Sequence, residues 1–315
     1  MIGYTLRRFA QAVIVVLGVT VLVFLLEHLI PGSLARAILG PRASPAEIAA
    51  FDRANGLEEP LVAQYLTFVS HVLHGNLGFS YRLNVSVDSL VVHEIPNDLI
   101  LVGSALVLAL AIAIPLGVAQ AVRRNRALDH AATGVAFLLY SMPSYWLGLL
   151  LIAGLAIGLH AFPPEAPQAA TAAGVLADPR ALVLPVVTLT LVNVALFSRY
   201  MRSSTVDTLA QDYVRVARAK GLAERAVLAR HVLRNSLVSV VTLVGLSLPA
   251  VLTSGLVIEY VFNFPGVGLT YYNAAVNSDY PVELGITVVV GFVTVIGSLV
   301  ADLAYAVLDP RVRYG

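Results

Sequence analysis

The residues of this chain that are able to do chemistry are few and scattered. A hydrolase working inside a membrane needs a Ser/His pair or metal ligands on facing segments. Ser141, Ser144 and His160 supply the pieces, but His160 falls at the end of its apolar run. Glu27 and His28 are neighbours; on a helix their side chains point about 100° apart and do not converge on one ion. His71 and His74 share a helix face at i and i+3, with no carboxylate at a matching spacing, and read as a surface pair. There is no HExxH, no Gly-x-Ser-x-Gly and no GxxxxGK[ST] phosphate loop. The chain also has no cysteine, which removes disulfides and thiolate metal sites. No enzyme site emerges, no metal or other cofactor is implied, and any nucleotide chemistry belongs to another subunit.

The elements that carry these residues are membrane spans. Of the 315 residues 58% are hydrophobic and 12% charged, half the charge density of a soluble domain, which is about 25%. A helix crossing a bilayer core needs roughly 20 apolar residues. Six stretches qualify, near 9–30, 97–122, 132–160, 182–201, 236–262 and 283–307. The first is longer than a signal-peptide core of about 7–15 residues, and Pro31-Gly32 ends it, so it reads as a retained span. With the N-terminus inside, 15 of the 20 basic residues fall on inside segments, leaving Arg36, Arg42, Arg53, Arg82 and Arg180 outside. That bias places both termini in the cytoplasm. The expectation is an all-α, multi-pass protein of the cell (inner) membrane with six transmembrane helices.

Three divisions follow: a tail and first span over 1–30, an outer lid-like segment over 31–96, and a core over 97–315. In the outer segment Ser44, Pro45 and Glu47 mark a helix start, and apolar residues at 62, 65, 66, 69, 72 and 73 predict a second amphipathic helix. The loop over 161–181 is rich in Pro and Ala and reads as irregular.

Several polar residues within or beside spans require an explanation. Glu259 stands at the outer end of the fifth span, where it reaches headgroups, caps a neighbouring backbone or serves the pathway. The residues after it, Phe262, Pro265, Gly266 and Gly268, force a tight turn, and a short re-entrant or surface segment is expected up to Tyr280-Pro281. Pro143, in the middle of the third span, frees a backbone carbonyl and predicts a kink. Asn193 reads as interhelical glue. Asp302, near Tyr305, reads as an acid paired inside the bundle.

The densest charge lies over Asp212–Asn235, with six basic residues against two acids. Gly221 divides it. Upstream, Asp212 suits a helix N-terminus, with Tyr213, Val216 and Ala217 on one side. Downstream, Leu222, Ala226, Ala229 and Leu233 form a stripe, predicting two short amphipathic helices under the membrane. Three readings compete: a topology and anionic-lipid signal, a nucleic-acid contact, and a docking surface for a cytoplasmic protein. Too few aromatics are interleaved for nucleic acid, and the small residues of "VARAKG" favour docking.

Taken in order, "LRRFAQAVIVVLGVTVLVFLL", "GNLGFS" (75–80), "YSMPSYWLGLLL" (140–151), "DYVRVARAKGL" (212–222), "RHVLRNSL" (230–237), "EYVFNFPGVG" (259–268), "DYP" (279–281) and "DLAYAVLDPRVRYG" (302–315) resemble the permease subunit of dipeptide/oligopeptide-type ABC importers. That family also takes up nickel and other small solutes. The resemblance implies the type I importer permease fold. It also implies alternating access driven by two cytoplasmic ATPase subunits, which bind ATP and Mg, a second homologous permease, and an extracytoplasmic solute-binding protein. It makes 202–235 the coupling loop and Asp212, Tyr213, Arg215, Val216, Ala217, Arg218, Ala219, Lys220, Gly221 and Leu222 its contact. The general importer pattern Glu-Ala-Ala-x-x-x-Gly is met here by Arg215, Val216, Ala217 and Gly221, with a base in place of the acid. Glu259, Phe262, Pro265, Gly266, Gly268 and Tyr280 become outer-gate or pathway candidates, and Pro143 a pathway kink. A stand-alone secondary transporter is the alternative, although the halves show no visible repeat and in-span charges are few.

Overall fold

The computed structural model describes residues 2–29, 34–40, 42–54 and 56–308, without the side chains of 2–5, 27, 34, 37, 246–254 and 301–308. Pro31, Gly32, Arg311 and Arg313 therefore lie outside the described residues, as do the side chains of Glu27, Asp302 and Tyr305. The chain is almost wholly helical. Helix α1 (Ile2–His28) is followed by three short helices, α2 (Leu34–Leu39), α3 (Pro45–Ala54) and α4 (Leu61–Leu73). A two-stranded antiparallel ribbon, β1 (Phe79–Ser80) with β2 (Val85–Ser86), leads into α5 (Val87–Val122). Then come α6 (Ala127–Ser141) and α7 (Ser144–Leu151), the latter running on as a π-helix over Ile152–Gly158. After the small α8 (Ala172–Ala177), Asp178 caps α9 (Pro179–Leu209) by accepting from the Ala181 amide, with Pro179 in the first turn.

The remaining helices are α10 (Asp212–Ala219), α11 (Glu224–Val227), α12 (Arg234–Phe262), α13 (Val267–Asn277) and α14 (Tyr280–Leu308). A π-helical turn over Leu228–Leu233 joins α11 to α12 in one rod.

Among the described residues five helices are long and apolar enough to cross a membrane, and six segments if the bent pair α6–α7 is counted as one broken span. At Met142-Pro143 the two halves bend by 106°. Pro143 is thus the N-cap of α7 rather than a kinked residue within one helix. In α5 and α9, by contrast, Pro96, Pro115 and Pro185 are accommodated without a break.

The bundle has two ends. At one lie Asn125, the start of α6, the end of α9 and the start of α12, joined by hydrogen bonds that Asp129 accepts from the Asn125 amide and Arg202 and one that Ser204 donates to Ser236 O. At the other lie the ribbon, α13 and the start of α14, joined by Ser80 to Asp279. Successive spans alternate between these ends. The basic connections gather at the first, which the positive-inside bias makes cytoplasmic.

The core is split. One cluster holds Leu101, Leu184, Ile258, Phe262 and Phe264 between α5, α9 and α12; another joins Ala109 and Ala113 to Val194 and Phe197. Gly117 is required where α5 meets α9, because a Cβ there would lie 2.8 Å from the Ser198 carbonyl oxygen. Asn193 donates to Leu189 O of its own helix, so among the described residues its recorded bond stitches α9. Helix α1 leaves Phe9, Ile14 and Leu22 exposed, as lipid contact requires. Its outer end meets α4 through Thr20 with Tyr65 at 3.0 Å and His28 with Gln64 at 3.1 Å. In α3, Ser44 and Glu47 form the expected reciprocal cap, at 2.7 and 3.3 Å.

Candidate functional site

At the cytoplasmic end, α10 packs its Val214 and Ala217 against Val227 and Val232, with Leu209 and Leu228 around them. Ala217 is 4% exposed and faces its own chain. The expected stripe of Leu222, Ala226, Ala229 and Leu233 is also not the buried one. The residues turned inward are Val227 and Val232, five apart, because the backbone there is π-helical and repeats at i+5. Continuity with α12 makes this half the foot of the fifth span, not a separate surface helix.

The exposed side of α10 carries Tyr213 and Val216, with Leu222 just past the turn that ends it; they are 43%, 51% and 42% exposed. These three apolar side chains stand among exposed Arg215, Arg218, Ala219 and Lys220. Gly221 ends the helix with φ +77° in open space, so glycine is needed there for its backbone and not for clearance. Across that turn Arg218 holds Glu224 by two hydrogen bonds, at 3.0 and 2.6 Å. Asp212 pairs with Arg215 at 2.7 Å. Both pairs are exposed and contribute about 0–1 kcal/mol each; they shape the segment more than they stabilise it.

At the outer end, α12 stops at Asn263 in the left-handed region, φ 50°, and Pro265-Gly266 redirects the chain into α13. Four polar side chains seize the start of α13. Asp98 accepts from the Val267 amide at 3.2 Å, Glu259 from the Leu269 amide at 2.9 Å, and Glu94 from the Thr270 hydroxyl at 2.6 Å. Asn97 donates to Pro265 O at 2.8 Å. A helix N-terminus carries four unpaired amides and a partial positive charge, so carboxylates there are compensated without a cation. Glu259, 2% exposed, therefore caps a neighbouring backbone and does not reach headgroups.

Gly266 and Gly268 make room for these carboxylates: a Cβ on Gly268 would stand 2.8 Å from Glu259 Oε2. Asp98 and Glu259 border a cavity of about 330 Å³ whose other walls include Ile95, Leu256, Tyr271 and Ile286.

Neighbouring loops hold the corner from outside. Ala166 N donates to Phe262 O at 2.8 Å and Gln168 Nε2 to Asn263 O at 2.7 Å, which pins the irregular 161–171 segment to it. Ser80 donates to Asp279 at 2.5 Å, both buried, and Arg82 reaches Asn277. Gly78 lies beside Pro281. Of the outer candidates, Glu259, Pro265, Gly266 and Gly268 meet at one place, Phe262 is core, and Tyr280 opens α14 half-buried.

Glu94, Asn97 and Asp98 were not singled out by sequence. Their signal was "EIPND" (94–98), two acids at i and i+4 entering an apolar helix. Asp129, the acid gripped by Arg202, also went unnoticed. Among the described residues no three His, Asp or Glu side chains are placed to hold a metal ion.

The family comparisons agree with this architecture. Residues 113–314 match the profile of the binding-protein-dependent transport system inner membrane component, and residues 1–102 match its N-terminal companion. The chain is 35% identical to the oligopeptide transport system permease protein AppB of Bacillus subtilis, over 100% of both chains. It is 32% identical to the dipeptide transport system permease protein DppB of Escherichia coli, covering 100% of this chain and 99% of that one. It is 35% identical to the glutathione transport system permease protein GsiC of Salmonella choleraesuis, over 100% of both. Five to six membrane-crossing segments and full-length likeness to these permeases lead to one conclusion: this chain belongs to the family of inner-membrane components of binding-protein-dependent ABC transport systems, as a multi-pass transport subunit with the type I permease fold.

Proposed function

We propose that this chain and a second homologous permease together form the pathway by which short peptides enter the cell, powered by two separate ATPase subunits. Peptides are favoured because the named relatives handle dipeptides, oligopeptides and glutathione, all of which contain amide-linked residues. ATP and Mg are handled by the partner subunits, and this chain supplies neither a nucleotide site nor a catalytic group.

In this reading α10 is the docking element. The observation that carries it is the exposed apolar set of Tyr213 and Val216, on a short helix whose other face is anchored by Val214 and Ala217, and Leu222 just beyond the helix end. Apolar side chains held in water on a rigid base are what a partner's cleft can bury. Lipid alone would be served by the charges. At the other end, α13 with its glycine-proline turn acts as an outer gate. The 31–96 segment and the 261–281 corner receive the solute-binding protein. Alternating access is then a rocking of the spans between two arrangements, biased by closure of the ATPases.

The test is affinity purification of the tagged protein from its native membrane with mass spectrometry of what accompanies it. Two ATPases and a second permease should accompany the wild type. Val216→Asp should lose the ATPases while the purified chain melts as before. Ala217→Leu should instead lower the melting temperature, because a larger side chain in a filled core costs about 1–3 kcal/mol. A wild type that purifies alone and moves solute in ATP-free liposomes overturns the proposal.

A further inference from the structure

We propose that the Asp129–Arg202 ion pair is the link that makes α6, the inner half of the broken span, follow the coupling segment during transport. Arg202 Nε and Nη2 donate to the two carboxylate oxygens of Asp129 at 2.6 and 2.8 Å. Asp129 is 2% exposed, and its Oδ2 also accepts from the Asn125 amide at 2.9 Å. A bidentate contact of this kind fixes an angle as well as a distance.

The reason to assign it motion is the poverty of the rest of α6. Of its 15 residues only Asp129 and Ala136 are buried, so little core packing sets its position. Its far end is released from α7 by the 106° break at Met142-Pro143. What holds it is chiefly α9, beside one long bond of 3.4 Å from Gln120 of α5 to Thr133. One turn before Arg202, the Arg199 guanidinium lies over the Phe137 and Tyr140 rings of α6, at 4.9 and 5.2 Å. That contact sets a cation over two ring faces without a hydrogen-bonded angle, which leaves orientation mainly to Asp129.

The last turns of α9 also grip the coupling apparatus. Ser204 donates to Ser236 O at 3.1 Å, the Thr208 hydroxyl pairs with that of Ser236 at 3.1 Å, and Leu209 packs on the α10 core. A push on α10 therefore reaches α9 and α12 through buried contacts, and passes from α9 to α6 through one ion pair and the Arg199 ring contact. Asp129 and Arg202 are positioning residues: they touch neither substrate nor nucleotide.

This inference rests on the docking of ATPases at α10, and the experiment separates the two. The chain has no cysteine of its own, so spin labels enter cleanly at exposed Val135 on α6, Ser203 on α9 and Trp146 on α7. Distances are read in the full complex, without nucleotide and trapped with ATP and vanadate. In the wild type the 135–203 distance should stay constant between states while the 135–146 distance changes. In Asp129→Asn the 135–203 distribution should broaden, and stimulation of ATP hydrolysis by the solute-binding protein should fall about tenfold, the scale of losing a charged hydrogen bond. The reversed pair, Asp129→Arg with Arg202→Asp, should restore both. Arg202→Lys, which keeps charge and loses the planar fork, should assemble and still broaden the distances; it also serves if Asp129→Asn does not assemble. A 135–203 distance that changes in the wild type, or Arg202→Lys distances and stimulation equal to the wild type's, overturns this inference alone. Absence of ATPases from the wild-type preparation overturns the docking reading and this inference with it.

Discussion

Replacing Gly268 by alanine tests whether α13 is docked as described. The new Cβ would stand 2.5 Å from the Leu256 Cα and 2.8 Å from both the Leu256 Cβ and Glu259 Oε2. Carbon atoms pack at about 3.5–4.0 Å, and the nearest obstacle is backbone, so α13 must retreat from α12 by about 1 Å. The Leu269 amide, now 2.9 Å from Glu259, then moves out of hydrogen-bonding range. Losing a bond to a charged acceptor costs about 1.5–3 kcal/mol, and overpacking adds about 1–3 kcal/mol. The lower sum, about 2.5 kcal/mol, corresponds to a rise of about sixtyfold in the opening constant of the corner. Hydrogen exchange of a peptide spanning 264–272 reads that constant directly. Gly134→Ala in α6 is the matched control, since a Cβ there meets nothing within 4 Å; it should leave the corner's exchange unchanged. Unaltered exchange in Gly268→Ala would refute the docking of α13 against Glu259.

Other variants probe the remaining junctions. Ser80→Ala removes the 2.5 Å bond to buried Asp279 at a cost of about 1.5–3 kcal/mol; proteolysis at the 81–84 turn should quicken, and unchanged cleavage would show that the ribbon is held otherwise. Gly221→Val places a branched side chain at φ +77° at a cost of about 1–2 kcal/mol, so recovery of ATPases in the purification should fall, while Gly221→Asn, which tolerates that conformation, should fall less. Glu47 is held below the ordinary glutamate range by the Ser44 backbone amide first and its side chain second. Its cap on α3 therefore adds stability above the unfolded pKa and loses it as pH falls through the lower folded value. The Ser44 amide resonance should titrate with a midpoint below the ordinary glutamate value; a midpoint at or above it would refute the cap.

Much of this protein was legible in one dimension because a bilayer imposes one-dimensional rules. Span number follows from runs of about 20 apolar residues, and sidedness from where arginine accumulates. The cap at Ser44 and the turn at Gly221 were likewise local, each set by residues within a few positions. Helical spacing failed at the π turn over Leu228–Leu233, where the buried residues became Val227 and Val232, and in α10, where Ala217 turns inward with Val214 while Tyr213 and Val216 stay exposed.

What sequence left open was which distant polar groups meet. Glu94 and Asp98 reach α13 across more than 160 residues, Ser80 reaches Asp279 across 199, and Asp129 reaches Arg202 across 73. No periodicity encodes such pairings, since each partner sits in an unremarkable local setting and only helix packing brings them together. Ala217 shows the same division. Its small size was visible in the sequence, but whether that served a partner or the chain's own core depended on where Val227 and Val232 came to lie. Burial of apolar surface in lipid fixed the spans; the satisfaction of polar groups between spans, which depends on tertiary contacts alone, fixed the two ends of the bundle.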